Sequence, residues 1–422
     1  MDKSQQLAAQ AIGQVFAGRN LTQVLESTWH MQPQLTPQQR AITQDLSYGA
    51  LRHYGQLQAI LAQLLERKLD DERVHHLLLV ALYQLVHGKT SEYAVVDHAV
   101  KAAAKLKKPW AKGLVNAVLR NFLRRRDALL AKVGEDDVSR YSYPRWWVSR
   151  LKAQYPERWE SVLEAGNQRP PMTLRVNRRH GTPVEYQARL AEAGIAAHVL
   201  GQSAIVVEQP LPVDRLPGFS EGVVSVQDYG AQFAASLLDV RDGMRVLDAC
   251  CAPGGKTGHI LELADVEMTA VDSDADRIAR TRSNLVRLGL AADLRIGDAG
   301  NPFDWWDGER KFDRILADVP CSASGIVRRH VDIKWLRREQ DLRLFATQQA
   351  AILRGLWPAL EIGGKLLYAT CSVFAEENQH QVDAFLQEQS NARQLPLPGL
   401  ENGQLLPCTE HDGFFYALLE KV

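Results

Sequence analysis

The sequence has no long apolar run, no paired cysteines and no net charge, and each absence removes a class of protein. Its most apolar stretch, His76 to Val86, is about half the length that a membrane-spanning helix needs, so no membrane partner is expected. The opening residues Met1-Asp2-Lys3-Ser4-Gln5-Gln6 lack the basic-then-apolar pattern of a signal peptide, which predicts a cytoplasmic protein. Five cysteines (Cys250, Cys251, Cys321, Cys371 and Cys408) form no C-x-x-C pair and no Cys/His spacing typical of zinc. No metal is expected, and in a reducing compartment these are thiols rather than disulfides.

The zero formal charge hides an asymmetry. Residues 1–150 carry 21 Lys and Arg against 13 Asp and Glu, and the remainder carries the compensating acidic excess. The basic residues are densest at Lys101, Lys105, Lys107, Lys108, Lys112, Arg120, Arg124, Arg125 and Arg126. Basic helical surfaces of this kind suit a polyphosphate partner.

At 422 residues the chain is too long for one ordinary core. Residues 1 to about 130 read as consecutive helices, with Thr36-Pro37 as a cap followed by proline at the first helical position. The segment Leu77 to Val86, apolar nearly all round, predicts a central buried helix. Tyr141, Tyr143, Trp146, Trp147, Tyr155 and Trp159 then form an aromatic bridge suited to interdomain packing. Strand patterns at 172–177, 197–200 and 204–208 around a helix at 183–193 predict a small α+β subdomain. Its Arg175, Arg178 and Arg179 are candidates for contact with a phosphate backbone.

From about 221 strands alternate with helices: strands at 244–248, 267–272, 293–296, 312–318, 364–370 and 414–419, helices at 256–264, 275–288, 338–357 and 376–388. This βα alternation predicts a doubly wound sheet. The expected domains are 1–135, all-α; 136–220, the aromatic bridge and α+β subdomain; and 221–422, an α/β domain.

The first strand of that domain runs into Asp248-Ala249-Cys250-Cys251-Ala252-Pro253-Gly254-Gly255-Lys256-Thr257. Paired glycines let a ligand approach the backbone, and the helix behind them offers free N–H groups. A P-loop needs glycine five positions before Gly255, where Cys250 stands, and the dinucleotide pattern G-x-G-x-x-G is absent. An S-adenosylmethionine site remains. Asp272 closes the second strand, placed for the hydroxyls of a ribose, and Asp298 follows the third, placed for an adenine amino group.

Two further strands end in a cysteine: Asp318-Val319-Pro320-Cys321-Ser322 and Thr370-Cys371-Ser372. Carbon 5 of cytosine is too poor a nucleophile to take a methyl group directly. Thiolate attack on carbon 6 generates an enamine that can take it, and a base must then remove the carbon-5 proton. Asp318 is placed for the polar edge of the pyrimidine, and Cys321 and Cys371 divide attack and release. Residue chemistry leaves the order of the two thiols open. A zinc deaminase is excluded, because Cys321-Ser322-Ala323-Ser324 lacks the second cysteine of P-C-x-x-C. A non-catalytic RNA-binding factor predicts loss of a cofactor aspartate or a strand-end cysteine, and none is lost.

Together these segments resemble the signature motifs of RNA cytosine-C5 methyltransferases of the Nop2/Sun type, reinforced by Ile326-Val327-Arg328-Arg329-His330 and Asp332-Ile333-Lys334-Trp335. The helical N-terminal region resembles the NusB-like RNA-binding domain of one bacterial branch, the Fmu/Sun proteins. The resemblance implies a Rossmann-like methyltransferase domain joined to a NusB-like domain and a small α+β subdomain. It implies S-adenosylmethionine as cofactor, 16S ribosomal RNA as partner and the cytosine at nucleotide 967 as target; a monomer is expected, although the sequence itself is silent on oligomeric state. It makes Cys371 the nucleophile, with Cys321 assisting release. Cofactor contacts carry over to Cys250, Cys251, Ala252, Pro253, Gly254, Gly255 and Lys256, then to Asp272, Asp298 and Asp318. Cys251 departs from the family pattern, where alanine is expected.

Overall fold

The computed structural model describes residues 1–106 and 108–422, apart from the side chains of Pro109 and Glu401; Lys107 of the basic cluster lies outside the described residues. The chain divides into two compact units. Met1–Gln168 with Val327–Glu339 forms one, and Arg169–Ile326 with Gln340–Val422 forms the other. These units cut the chain differently from the expected domains. The bundle takes in the aromatic segment to Gln168, and a short excursion of the α/β domain joins it.

Between Asp2 and Asn167 the regular structure among the described residues of the first unit is a series of helices. Thr36 caps the helix Pro37–Arg52 in a reciprocal pair with Gln39: Gln39 N donates to Thr36 Oγ1 at 3.1 Å, and Thr36 N donates to Gln39 Oε1 at 3.0 Å. The helix Glu72–His87 is central, with Leu77 through Leu82 all at most 1% exposed. The aromatic segment packs on itself, Tyr141 on Trp159 and Tyr143 on Trp147, with both tyrosines and Trp147 buried.

Three polar side chains pin the segment Val327–Glu339 within this unit. Asp332 Oδ2 accepts from Asn20 Nδ2 and Leu21 N at 3.0 Å each. Trp335 Nε1 donates to Leu51 O at 2.8 Å. Lys334 is fully buried, donating to the carbonyls of Arg52 and Ser142 and to Asn167 Oδ1, with its Nζ 4.2 Å from the centre of the Tyr143 ring. Burial, helped by the charge of Arg52, pulls this ammonium well below the usual lysine range.

In the second unit the strands, in chain order, are β1 (Met172–Val176), β2 (Ala197–Leu200), β3 (Ala204–Val207), β4 (Val224–Val226), β5 (Arg245–Asp248) and β6 (Glu267–Asp272). Then come β7 (Asp293–Ile296), β8 (Phe312–Asp318), β9 (Leu360–Thr370), β10 (Ala392–Leu395), β11 (Gln404–Leu405) and β12 (Phe414–Lys421). The first four form an antiparallel sheet in the order β2-β3-β1-β4, covered by the helix Pro183–Glu192 through Tyr186 and Leu190. β4 lies beyond the expected boundary at 220 yet pairs with β1, Leu174 opposite Val226.

The remaining strands form one sheet, ordered β10-β12-β9-β8-β5-β6-β7, with β11 paired to β12. From β9 to β7 the pairing is parallel; β12 joins β9 antiparallel. Successive side chains point to opposite faces, and both faces are covered. Leu247, Ile315, Leu366 and Tyr368 enter one core cluster, while Val246, Leu316, Leu367 and Ala369 enter the other. Strand order reverses at the β5/β8 pair, and in such sheets the crevice beyond the strand ends binds ligands.

Two buried charges sit beside that crevice. Arg175, expected to face a phosphate backbone, is wholly buried instead. It makes a two-pronged ion pair with Glu262 at 2.6 and 2.8 Å and also donates to Gln227 Oε1 and to Gly255 O. Alternation along β1 turns it inward, where an arginine must find a carboxylate. Arg179 binds Leu261 O and Asp265; Arg178 alone of the three is exposed with no hydrogen bond or ion pair among the described residues. The second charge is Asp248, whose Oδ2 accepts from Thr257 Oγ1 at 2.7 Å. Burial pushes its carboxyl up to about 7; the Thr257 hydroxyl opposes this and the charge of Asp318 adds to it.

Both make testable demands. Arg175→Met strands the Glu262 charge and is expected to cost about 3–5 kcal/mol in chemical unfolding, whereas adding Glu262→Leu should recover much of the loss. Equal stability of the single and double variants would contradict the pairing. Asp248 is neutral when folded and ionised when unfolded between its reference value of 3.8 and about 7, so its contribution to stability falls as pH rises through that window. Asp248→Asn should therefore gain on the wild type by about 1.4 kcal/mol per pH unit there and stay level above it, as read from melts at a series of pH values.

Candidate active site

Five strand ends build one cleft, enclosing about 760 Å³ including its open mouth. Cys250 and Ala252 line it from the turn after β5, Asp272 from the end of β6, Asp298 from beyond β7, Asp318 and Cys321 from β8, and Cys371 from β9. Pro253, Gly254, Gly255 and Lys256, expected to contact a cofactor, are not among the residues that line it. Cys251 is buried against Ala270 and Ile278, so a thiol there is a core residue.

The turn needs its first glycine. Gly254 has φ +88°, and a Cβ there would lie 2.8 Å from Thr281 Cγ2. Gly255 opens the helix Gly255–Leu263, which delivers Lys256 to Asp318: Nζ and Oδ2 are 2.5 Å apart. Burial pulls Lys256 down, but the charge and hydrogen bond of Asp318 outweigh it, so the ammonium lies above its usual range and stays charged. Asp272 is held on three sides, its carboxylate accepting from Ala252 N at 3.3 Å and Asp274 N at 3.2 Å, with Arg277 Nη2 at 3.4 Å. Asp298 accepts from Gly300 N at 2.9 Å, and its carbonyl accepts from Trp305 Nε1 at 2.8 Å.

The two thiols meet: Cys321 Sγ and Cys371 Sγ are 3.4 Å apart, and all five cysteines are free. Cys321 is pushed well above the usual thiol range, first by its hydrogen bond with Cys371, then by burial and the charges of Cys371 and Glu377. At this distance a negative charge on either sulfur would oppose ionisation of the other. Among the described residues no cluster of three or more His, Cys, Asp or Glu is arranged to hold a metal, and no helix is long and apolar enough to cross a membrane.

Sequence reasoning missed Ser273, Arg277, Gln348 and Ile352, which also line the cleft, and Glu377 behind it. Gln348 and Ile352 lie four apart on the helix Asp341–Leu356, a spacing that signals one shared face but not which one. In the bundle the basic cluster is partly neutralised. Lys101 pairs with Asp97, Lys105 with Asp2, Lys108 with Asp71 and Arg126 with Glu92. Lys112, Arg124 and Arg125 are exposed and make no ion pair among the described residues.

Comparison with known proteins agrees with this layout. Residues 2–124 match the NusB family, 143–214 the RsmF/B-like ferredoxin-like domain, and 235–420 the family described as 16S rRNA methyltransferase RsmB/F. The chain is 47% identical over 401 residues to the ribosomal RNA small subunit methyltransferase B of Pseudomonas syringae pv. tomato, covering 91% of this chain and 89% of that one. It is 45% identical over 424 residues to the protein of that name from Escherichia coli O7:K1, covering 98% of both. The crystal structure of PH0851 shares the fold over 100% of this chain and 99% of its own, with a TM-score of 0.81 at 23% identity. A methyltransferase homologue from Pyrococcus horikoshii gives a TM-score of 0.60 at 26% identity, covering 68% of this chain and 97% of its own. With three consecutive domain matches and nearly half its residues shared along almost its whole length, the chain belongs to the RsmB/F family of S-adenosylmethionine-dependent rRNA methyltransferases.

Proposed function

We propose that this protein methylates carbon 5 of a cytosine in 16S ribosomal RNA, at nucleotide 967 as the family resemblance implies, through a covalent bond between Cys371 and carbon 6. The observation that supports this reading above all is the pair of free thiols 3.4 Å apart in a cleft beside the Asp318–Lys256 ion pair. Two free thiols in contact suit a reaction in which one attacks first and the other acts afterwards.

The acceptors lining the cleft fit the cofactor's polar groups. Asp272 would take the ribose hydroxyls, Asp298 the adenine amino group, and the Cys250–Lys256 turn the remainder. Bound there, S-adenosylmethionine supplies an electrophilic methyl group. Every other step belongs to the chain. Asp318, fixed by Lys256, holds the polar edge of the base. Cys371 attacks carbon 6 as a thiolate and carbon 5 becomes nucleophilic. Once Cys371 is bound to carbon, its charge no longer opposes ionisation of Cys321. Having given its own proton to solvent in the open cleft, Cys321 can then accept the proton of the methylated carbon 5; the electron pair of that C–H bond restores the ring double bond as the carbon–sulfur bond breaks, and Cys371 leaves as the thiolate. The exposed Lys112, Arg124 and Arg125 of the bundle would meet RNA phosphates.

The two cysteines should separate cleanly. Cys371→Ala is expected to lower methylation by about 10³-fold or more, the scale of a lost nucleophile. Cys321→Ala still attacks but stalls, accumulating a protein–RNA adduct seen as a denaturation-resistant shifted band. An adduct in Cys371→Ala instead reverses the roles, and full-rate methylation by both variants removes the covalent scheme. Bisulfite sequencing of RNA from cells with and without the gene should show one lost 5-methylcytosine in 16S RNA; an unchanged pattern would count against the assigned target.

A further inference from the structure

The residue after each cysteine is a serine, and both serines are held by one carboxylate. Glu377, in the turn Ala375–Glu377, is 0% exposed. Its Oε2 accepts the hydroxyls of Ser322 at 2.5 Å and Ser372 at 2.6 Å. Its Oε1 accepts Ser322 N at 2.7 Å and Gln349 Nε2 at 3.3 Å. The same Gln349 amide donates to Pro320 O at 3.0 Å, immediately before Cys321. Around this centre Ser324 Oγ lies 3.0 Å from Ser372 Oγ and accepts from Val373 N at 2.9 Å.

A carboxylate with this many donors is satisfied, which is the condition under which burying one is tolerable. Burial raises its ionisation above the ordinary glutamate range while the serine hydroxyls pull it back. Glu377 does not line the cleft, so it has no access to a base or to the methyl donor. What it touches is the backbone and side chains next to both thiols.

We propose that Glu377 is a positioning residue that sets the spacing of Cys321 and Cys371 by sharing one carboxylate oxygen between the hydroxyls of Ser322 and Ser372. The consequence for catalysis rests on the two-cysteine reading above; the spacing itself does not. Without the shared oxygen the two loops keep the Ser324 bonds to Ser372 and Val373 and the bond from Gly325 N to Cys371 O, but lose the charged tie between the residues that follow the two cysteines, and the sulfurs drift apart. Proton and thiolate hand-over between them depends on that distance, and a displacement of about 1 Å at a reacting group costs on the order of 10²-fold.

Phenylarsine oxide reads the spacing directly, because its arsenic exchanges one oxygen for two neighbouring thiols, forming two As–S bonds and releasing water. In the full-length wild type it should be captured at the Cys321/Cys371 pair, the Cys321→Ala and Cys371→Ala proteins defining any capture elsewhere. Glu377→Ala should weaken this capture about tenfold or more while each thiol still reacts singly with iodoacetamide, and should lower kcat by about 10²-fold with the KM for S-adenosylmethionine within about twofold. Glu377→Gln, with the same shape and one remaining acceptor, should restore capture and most of kcat. Unchanged capture in Glu377→Ala overturns the proposal, as does a loss confined to KM. Should Glu377→Ala fail to fold, Ser372→Ala removes one of the two hydroxyl bridges and leaves the carboxylate its Ser322 partners; wild-type capture and kcat there would overturn the proposal equally. If the covalent scheme itself fails, arsenical capture still reports on the clamp.

Discussion

Parallel pairing of β8 with β9 is the constraint on which the site depends. Asp318 lies opposite Ala369, and the ladder continues one step further, Val319 N donating to Ala369 O at 3.0 Å. In a parallel pair both strands end on the same edge, so two cysteines 50 positions apart in sequence leave the sheet side by side. The loops are then drawn together by backbone contacts: Gly325 N donates to Cys371 O and Gly413 N donates to Gly325 O, both at 2.8 Å. A Cβ on Gly325 would lie 2.2 Å from Gly413 O, so this approach exists only because both residues lack side chains. The apolar clusters on the two faces of the sheet keep these strand ends where they are.

Charge is distributed around that edge with little to spare. Four aspartates, Asp248, Asp272, Asp298 and Asp318, end strands or follow them closely, and each is managed differently. Asp248 is driven toward neutrality, Asp272 is fixed by backbone N–H groups and Arg277, Asp298 by Gly300 N, and Asp318 by Lys256. Only the last three face the cleft. The first bonds Thr257 on the helix that follows the turn, and Arg175 bonds Gly255 O at its start. Lys256 thus sits on a helix whose beginning is fixed by an arginine from the small sheet.

Much of this was legible in the sequence, and the reasons differ from element to element. Strands β6, β7 and β8 fall where alternation and turn residues put them, and the seven cleft residues named from motifs share one cleft because parallel strand ends must converge. β4, β10 and β11, of three, four and two residues, were not anticipated, and only their pairing reveals them. Arg175 was misread for a physical reason. Period-two alternation says which side of β1 it faces but not that a carboxylate waits there, and Glu262 lies 87 residues away. Glu377 was invisible in the same way, since Glu376-Glu377 reads as a solvated start to a helix. Buried charges are the hardest residues to place from sequence, because their partners are set by the fold.

The short excursion Val327–Glu339 alters how the two units can be treated. The chain crosses between them three times, after Gln168, after Ile326 and after Glu339, rather than once through a linker. A fragment ending at Gln168 would therefore lack Asp332, Lys334 and Trp335. It would leave the carbonyls of Leu51, Arg52 and Ser142 and the amide of Leu21 without the partners that satisfy them. The catalytic half, cut from the same point, would carry a thirteen-residue segment a few residues beyond Cys321 whose Val331, Trp335 and Leu336 have lost the bundle core they pack against. The two parts were not simply joined end to end. They are interleaved along the chain, so no single cut at Gln168 separates this protein into its two units.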